Sequence, residues 1–201
     1  MTLYILVITI ILSITALNNE QVMRKMIFNP YQIQHGNEWF RFITSGFIHA
    51  DWMHLIINMF VLYGFGGVVE NYYNQVFEGK SEYYYLLLYF GGMLIAVAPS
   101  YAKHKNDPSY NALGASGAVS AVIFTAILFN PLQKIYFYGI IGLPGILLGP
   151  AYLAYSYYMG KKGGDHINHD AHFWGAVFGV LFTIALKPTI ALYFINEITG
   201  G

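Results

Sequence analysis

The stretch Leu113-Gly-Ala-Ser-Gly-Ala-Val-Ser-Ala-Val-Ile-Phe124 places one serine, Ser116, between Gly114 and Gly117 at the start of a long apolar run. A hydroxyl at a helix N-terminus lies near free backbone N–H groups, which favour negative charge such as that of an oxyanion. The two glycines permit a tight turn and the close approach of another chain segment. Taken alone, the same pattern is also typical of a small-residue packing face between apolar helices.

The composition indicates a membrane protein. Hydrophobic residues make up 56% of the 201 residues, charged residues only 10%, and the mean hydropathy is +0.47. Zero net charge argues against nucleic-acid binding, and the absence of cysteine excludes disulfides, thiol catalysis and zinc–cysteine sites. Six runs free of charged residues are long enough to cross a bilayer. We therefore expect an all-α polytopic protein with six transmembrane helices, at about Met1–Leu17, Trp52–Val69, Tyr83–Tyr101, Leu113–Phe129, Ile135–Met159 and Ala171–Leu186.

The connections between most runs are short, so we expect a single membrane domain over residues 1–201. The exception is the first loop, Asn18–Asp51, whose dense apolar positions suggest an amphipathic structure that dips into the membrane. The fifth run contains Pro144 and Pro150 among several glycines, which weaken or kink a helix. That helix is expected to be the most mobile.

Two polar residues occupy the start of the second run, in His49-Ala-Asp-Trp-Met-His-Leu-Ile-Ile-Asn58. His54 and Asn58 are four apart and share one helix face. Polar side chains in an apolar span are costly unless partnered, and both can donate hydrogen bonds to a developing oxyanion. The alternative is that they are hydrogen-bonding glue between helices.

A third polar stretch, His166-Ile-Asn-His-Asp-Ala-His-Phe-Trp-Gly175, leads into the last run. His172 lies just inside that helix, and Gly175 and Gly179 follow at a spacing that permits a close helix crossing. Gly117 and Ala121 have the same spacing, so the fourth and sixth helices can bring His172 to Ser116. A histidine-rich metal loop formed by His166, His169, Asp170 and His172 is the alternative, although no familiar zinc motif is present and we expect no metal.

Consecutive spans alternate in direction, so the second, fourth and sixth helices begin on the same membrane face. His54, Ser116 and His172 each lie near the start of one of them, which gives the three side chains a shared depth. A serine, a histidine that can take its proton, and additional donors are the groups that acyl transfer needs. No acidic residue lies at that depth, so a Ser-His dyad fits better than a triad.

These stretches resemble the rhomboid family of intramembrane serine proteases over essentially the whole chain. Two departures are visible: the family's frequent Trp-Arg pair is Phe40-Arg41 here, with Trp39 displaced by one, and an aromatic often found four residues after the nucleophile is Ser120. The resemblance rests on His54-x-x-x-Asn58, Gly114-x-Ser116-Gly117 and Ala171-His172-x-x-Gly175, with Arg41 in the first loop and Glu70 in Gly-Gly-Val-Val-Glu.

The resemblance implies Ser116 as nucleophile and His172 as general base. It implies an oxyanion hole formed by His54, Asn58 and the Ser116 amide. It further implies no cofactor, and substrates that are single transmembrane helices cut near the membrane surface. Structural support is expected from Gly114, Gly117, Gly175, Gly179, Arg41 and Glu70.

The positive charges run against the orientation that the resemblance implies, with both termini in the cytoplasm. By the positive-inside rule the cytoplasmic loops should carry most Lys and Arg residues. We keep the family topology, in a bacterial inner membrane, because the long first loop can fold into the interface. That orientation leaves Lys80, Lys134 and Lys187 inside, and Arg24, Lys25, Arg41, Lys103, Lys105, Lys161 and Lys162 outside.

A rhomboid-like pseudoprotease that binds transmembrane helices without cutting them is the alternative function. The joint presence of Ser116, His172, His54 and Asn58 favours the protease, because a binding module has no need of all four. A polytopic transporter ranks third, since no acidic relay crosses the spans.

Overall fold

The computed structural model describes residues 1–137, 141–164 and 167–200 and is mainly helical. Most elements follow one another with short connections; the exceptions are the folded first loop and residues 105–115, which lead from α6 to α7. In chain order they are α1 (Thr2–Leu17), α2 (Glu20–Met26), α3 (Pro30–Gly36), α4 (Arg41–Thr44), a 3-10 turn (Ser45–Phe47), α5 (Trp52–Val76), α6 (Ser81–His104), α7 (Ser116–Phe129), β1 (Lys134–Phe137), β2 (Ile141–Pro144), α8 (Gly145–Lys162), α9 (His169–Leu186) and α10 (Thr189–Thr199).

Helix α7 forms the centre of the bundle. Every residue of α7 except Ser116 and Ile123 is buried, and the helix packs against α9, α6 and α5. A helix that is apolar on all sides is stable only when other helices or lipid surround it completely. The fold therefore places Ser116 at the end of its most enclosed element.

The α7–α9 crossing brings two backbones into contact. A Cβ atom built on Gly175 would collide with the carbonyl oxygen of Gly117, and one built on Gly179 would collide with that of Ala121. The Thr125 hydroxyl adds a 3.2 Å hydrogen bond to the carbonyl oxygen of Gly179. This is the close crossing that the small-residue spacing predicts, and it fixes the relative position of the two helix starts.

The protein is an integral, multi-pass membrane protein. Within the described residues, α5, α6 and α9 are long and apolar enough to cross a membrane, while α1 and α7 are apolar but shorter. The outward faces of α1 and α5 carry large apolar side chains such as Leu3, Ile11 and Phe60, which are more than half exposed. Such a continuous apolar surface is suited to contact with lipid.

The first loop is held together around Arg41, whose side chain is buried. Its guanidinium donates hydrogen bonds to the carbonyl oxygens of Arg24 (2.8 Å) and Ile27 (2.7 Å) and pairs with Glu38. The loop expected to form an amphipathic structure contains four short helical elements. Arg41 thus ties the end of α2 to the segment that leads into α5.

The expected fifth span is wrong in its first part. Residues 134–137 and 141–144 form two antiparallel paired strands with Lys134 opposite Pro144 and Tyr136 opposite Gly142, and the helix begins only at Gly145. The apolar run hid this boundary because a short stretch of β-branched and aromatic residues has no helical periodicity of its own. Pro144, which lacks an N–H, precedes the first helical residue.

Candidate active site

Ser116 is the first residue of α7 and follows a sharp turn. Gly114 adopts φ +116°, a conformation that an L side chain rarely takes, and its N–H donates a 2.9 Å hydrogen bond to the carbonyl oxygen of Ser45. Ala112 pairs through its backbone with Phe28, at 2.9 and 3.0 Å. The first loop therefore holds the segment before Ser116 at two points.

His49 supplies a third point of attachment. Its imidazole is fully buried, and its Nε2 accepts the Ala115 N–H at 3.4 Å while its Nδ1 lies 2.9 Å from the Ser13 hydroxyl. The Ser13 hydroxyl donates to the carbonyl oxygen of Phe47, so it accepts the Nδ1 proton of a neutral imidazole. Burial, together with the neighbouring His54, lowers the pKa of His49 to about 3. The turn before Ser116 is thus joined to α1 through an uncharged histidine.

His54 packs directly on the turn before Ser116. A Cβ atom built on Gly114 would lie 2.7 Å from Cε1 and 2.9 Å from Nε2 of the His54 ring. Asp51 caps the helix by accepting the His54 N–H at 2.7 Å. Asn58 is buried one turn further along, where its amide donates one hydrogen to the carbonyl oxygen of His54 at 2.9 Å. Its second amide hydrogen remains for another acceptor, since an amide nitrogen carries two.

The start of α9 faces the start of α7. A Cβ atom on Gly117 would lie 3.4 Å from the carbonyl oxygen of Ala171. Ser116 directly precedes Gly117, and His172 directly follows Ala171. Both residues therefore belong to helix turns that are in contact. Asn168 caps α9 by accepting the Ala171 N–H at 3.1 Å and donates to the Ser100 hydroxyl at 3.1 Å, which anchors the His172 turn to α6.

Tyr152 of α8 contacts the other side of His172. Its hydroxyl lies 3.0 Å from Nδ1 of the imidazole, and the two rings are nearly parallel with centroids 6.2 Å apart. His172 is half-buried at this position. A phenol therefore occupies the place beside Nδ1 that a carboxylate fills in a serine–histidine–aspartate triad.

The helix that Ser116 opens is shorter than α5 and α6, which have 25 and 24 residues. Helix α7 has 14 residues, about 21 Å, whereas the hydrocarbon core of a bilayer is about 30 Å thick. Beside Ser116 is a cavity of about 20 Å³ lined in part by Gly117, Asn168 and Ala171. A single water molecule fits in such a volume.

The alternative of a metal loop receives no support from the described residues. Among residues 1–137, 141–164 and 167–200, no three His, Asp or Glu side chains lie close enough together to hold a metal ion. His166, one of the four residues of that hypothesis, lies outside the described residues. His169 and Asp170 are in the first turn of α9.

Sequence reasoning missed three residues that shape the site: His49, Asn168 and Tyr152. Nothing in the sequence around His49 distinguished this histidine from the other residues of the first loop. Asn168 had the ordinary signal of a helix N-cap residue three positions before a capped amide. Tyr152 had none, because α8 carries three other tyrosines within the next six residues.

Comparison with known proteins identifies the family. The model of the Rhomboid domain matches residues 36–189, which is most of the chain. This protein belongs to the rhomboid family. Members of the family are generally intramembrane serine proteases.

Several eukaryotic rhomboid-like proteins are similar to this rhomboid. It is 31% identical to RHOMBOID-like protein 12, mitochondrial, of Arabidopsis thaliana over an alignment of 144 residues. That alignment covers 67% of this chain and 42% of the relative. It is 30% identical over 149 residues to Presenilin-associated rhomboid-like protein A, mitochondrial, of Danio rerio (70% and 36%), and 29% identical over 168 residues to Rhomboid-like protein 11, chloroplastic, of Arabidopsis thaliana (74% and 53%). The chain spans about half the length of these relatives or less.

Proposed function

We propose that this rhomboid is an intramembrane serine endopeptidase that cleaves single-span transmembrane substrates through a Ser116–His172 dyad. The observation that carries the proposal is the meeting of three helix starts. Ser116 opens α7, His54 packs on the turn before it, and the first turn of α9 with His172 faces it across Gly117. The proposal takes its nucleophile, its base and its oxyanion donors from these three helices.

In the proposed reaction the Ser116 oxygen attacks the scissile carbonyl carbon while its proton passes to Nε2 of His172. The carbonyl oxygen becomes an oxyanion, which His54, Asn58 and the Ser116 N–H stabilise from the helix N-terminus. The C–N bond then breaks, and the imidazolium gives its proton to the leaving amine. Water, activated by the same imidazole, hydrolyses the acyl-enzyme and restores the serine hydroxyl.

The position of the site supports a substrate that is itself a transmembrane helix. The serine opens a short helix enclosed by longer ones, so a soluble polypeptide has poor access to it. An intact helix ties up its carbonyl groups in hydrogen bonds, and the preferred cut should lie near Gly or Pro residues that weaken the helix. The bilayer is therefore the medium in which the enzyme meets its substrate.

We further propose six crossings, formed by α1, α5, α6, α7, α8 and α9, with the site near the outer face and both termini in the cytoplasm. The apolar composition of α5, α6 and α9, which are long enough to cross a membrane, and of the shorter α1 and α7 supports the proposal. The bacterial inner membrane is the proposed location, although the similar proteins named above are mitochondrial and chloroplastic.

The proposal is tested with the purified full chain reconstituted into liposomes with a panel of single-span helices. The panel varies the position of Gly and Pro along the helix, and the products are sequenced to locate each cut. Ser116→Ala is compared with the parent, and Ser109→Ala, an exposed loop serine on the same side, serves as the matched control.

We expect the parent and Ser109→Ala to cut helix-weakened members of the panel at one position each, and Ser116→Ala to cut none. Cleavage by a folded Ser116→Ala protein would refute the serine mechanism. A parent that binds helices of the panel without cutting any would favour the pseudoprotease instead.

A further inference from the structure

The aromatic side chain that contacts His172 comes from α8 and not from α7. In the family resemblance an aromatic ring four residues after the nucleophile lies under the catalytic histidine, and here that position is Ser120. Ser120 is buried on α7, and the aromatic side chain that contacts His172 is Tyr152 of α8. A tyrosine from the neighbouring helix is thus the aromatic partner of the imidazole.

We propose that Tyr152 is a positioning residue for the general base, whose phenol oxygen accepts the Nδ1 proton of His172. The inference rests on the proposed protease function and deepens it. The 3.0 Å separation of the hydroxyl and Nδ1 is that of a hydrogen bond, and the nearly parallel rings limit rotation of the imidazole. Tyr152 thus orients the imidazole as the carboxylate of a triad does, but it carries no charge.

The direction of this hydrogen bond follows from the part that His172 plays in the proposed reaction. A phenol oxygen can donate its own proton and can also accept one, so the 3.0 Å contact is compatible with an imidazole protonated on Nδ1. A histidine that carries its proton on Nδ1 keeps a lone pair on Nε2, which is the nitrogen that must remove the Ser116 proton.

This arrangement links the dyad to α8, the helix expected to move most. Within the described residues α8 packs mainly on α9, with fewer contacts to α7. An outward displacement of α8 carries the Tyr152 hydroxyl away from Nδ1 and releases the imidazole. The base is therefore oriented only while α8 is seated against α9.

The test compares Tyr152→Phe with the parent by two independent readouts. Phenylalanine keeps the ring and removes only the hydroxyl, so the fold should be preserved. Tyr157→Phe is the matched control, because Tyr157 lies on the same helix and packs on Phe173 and Lys161. The first readout is the steady-state cleavage of a single-span helix, and the second is the ¹⁵N NMR signature of the His172 tautomer, assigned by comparison with His172→Ala.

We expect Tyr152→Phe to lower kcat roughly tenfold, the loss of about one hydrogen bond in the transition state, while KM changes less than about twofold. In the spectrum the parent should show His172 protonated at Nδ1, and Tyr152→Phe should show a mixture of tautomers. Tyr157→Phe should match the parent in both readouts.

A parent spectrum with the proton of His172 on Nε2, or a Tyr152→Phe protein with parental kcat and spectrum, would overturn the proposal. If the parent cut no helix but its Nδ1 signature disappeared in Tyr152→Phe, the hydrogen bond would stand and the protease function would fall. The two ideas thus fail by different results.

Discussion

The two sides of the candidate site are built differently. On one side, α7 and α9 meet backbone to backbone, and Gly117 and Gly175 leave no space between them. On the other side, α8 reaches the site through a side chain, and a Cβ atom on its Gly149 would find Phe124 and Ile127 of α7 at an ordinary 3.4 and 3.5 Å. The same residue type therefore serves as a hard contact in one helix pair and as a loose one in the other.

This difference separates two requirements of a dyad. The distance between nucleophile and base has to be fixed, and contact between two backbones fixes it because neither can yield without moving a whole helix. The rotation of the imidazole has to be set but can be set reversibly, and a tyrosine on α8, whose Gly149 meets α7 at ordinary distances, does this. Position and orientation of His172 thus depend on different neighbours.

The largest effect is expected from Gly175→Ala, which attacks the hard contact. The added methyl group collides with the Gly117 carbonyl oxygen, and backbone cannot give way as a side chain would. The cost should reach or exceed the upper end of overpacking, about 3 kcal/mol. Thermal unfolding in detergent micelles measures it, and a Gly175→Ala protein with parental stability would show that the crossing is not tight.

A smaller effect is expected from His49, which holds the turn before Ser116: the free energy of unfolding should depend on pH. Its pKa in the folded protein is about 3 against an ordinary 6.5, so below pH 6.5 the unfolded chain binds a proton that the folded chain does not. Stability is therefore full above pH 6.5 and falls as the pH drops towards 3, by about 2 kcal/mol between pH 7.5 and 5.

The control for this titration is a pair of histidine variants. His49→Gln should be less stable than the parent at pH 7.5 but should lose most of the decline between pH 7.5 and 5. His35→Gln, an exposed position on α3, should keep the decline. An undiminished decline in His49→Gln would assign it to other groups.

The smallest effect is expected from Gly149→Ala on α8. The new methyl group meets its neighbours at van der Waals distance, and alanine gains about 1 kcal/mol of helix propensity over glycine, so stability should stay within about 1 kcal/mol of the parent. The same unfolding experiment compares it with Gly175→Ala. Equal losses in the two variants would remove the distinction between the hard and the loose contact.

Much of the fold could be predicted from local signals in the chain. Charge-free runs located α1, α5, α6, α7 and α9, because lipid and buried helices impose the same apolar composition over a whole span. The start of α8 was missed, since an apolar run does not reveal where paired strands give way to helix. Composition indicated that the first loop is structured, but it could not show how the loop is held together, because Arg41 bonds to carbonyl groups that are distant in sequence.

The candidate site divides in the same way. Ser116, His54, Asn58 and His172 stood out because each is a polar residue at the start of an apolar helix. Tyr152 did not, because its significance comes from its contact with His172, a residue twenty positions further along the chain. Spatial pairing of this kind has no signal in a single sequence.

The central claim, that His172 activates Ser116 as a nucleophile, is tested most directly by a fluorophosphonate probe. The parent should be labelled at Ser116 alone, as located by mass spectrometry, and His172→Ala should react only slowly. Ser116→Ala should not be labelled, because it lacks the oxygen that reacts with the probe. Labelling of His172→Ala at the parental rate would contradict the claim.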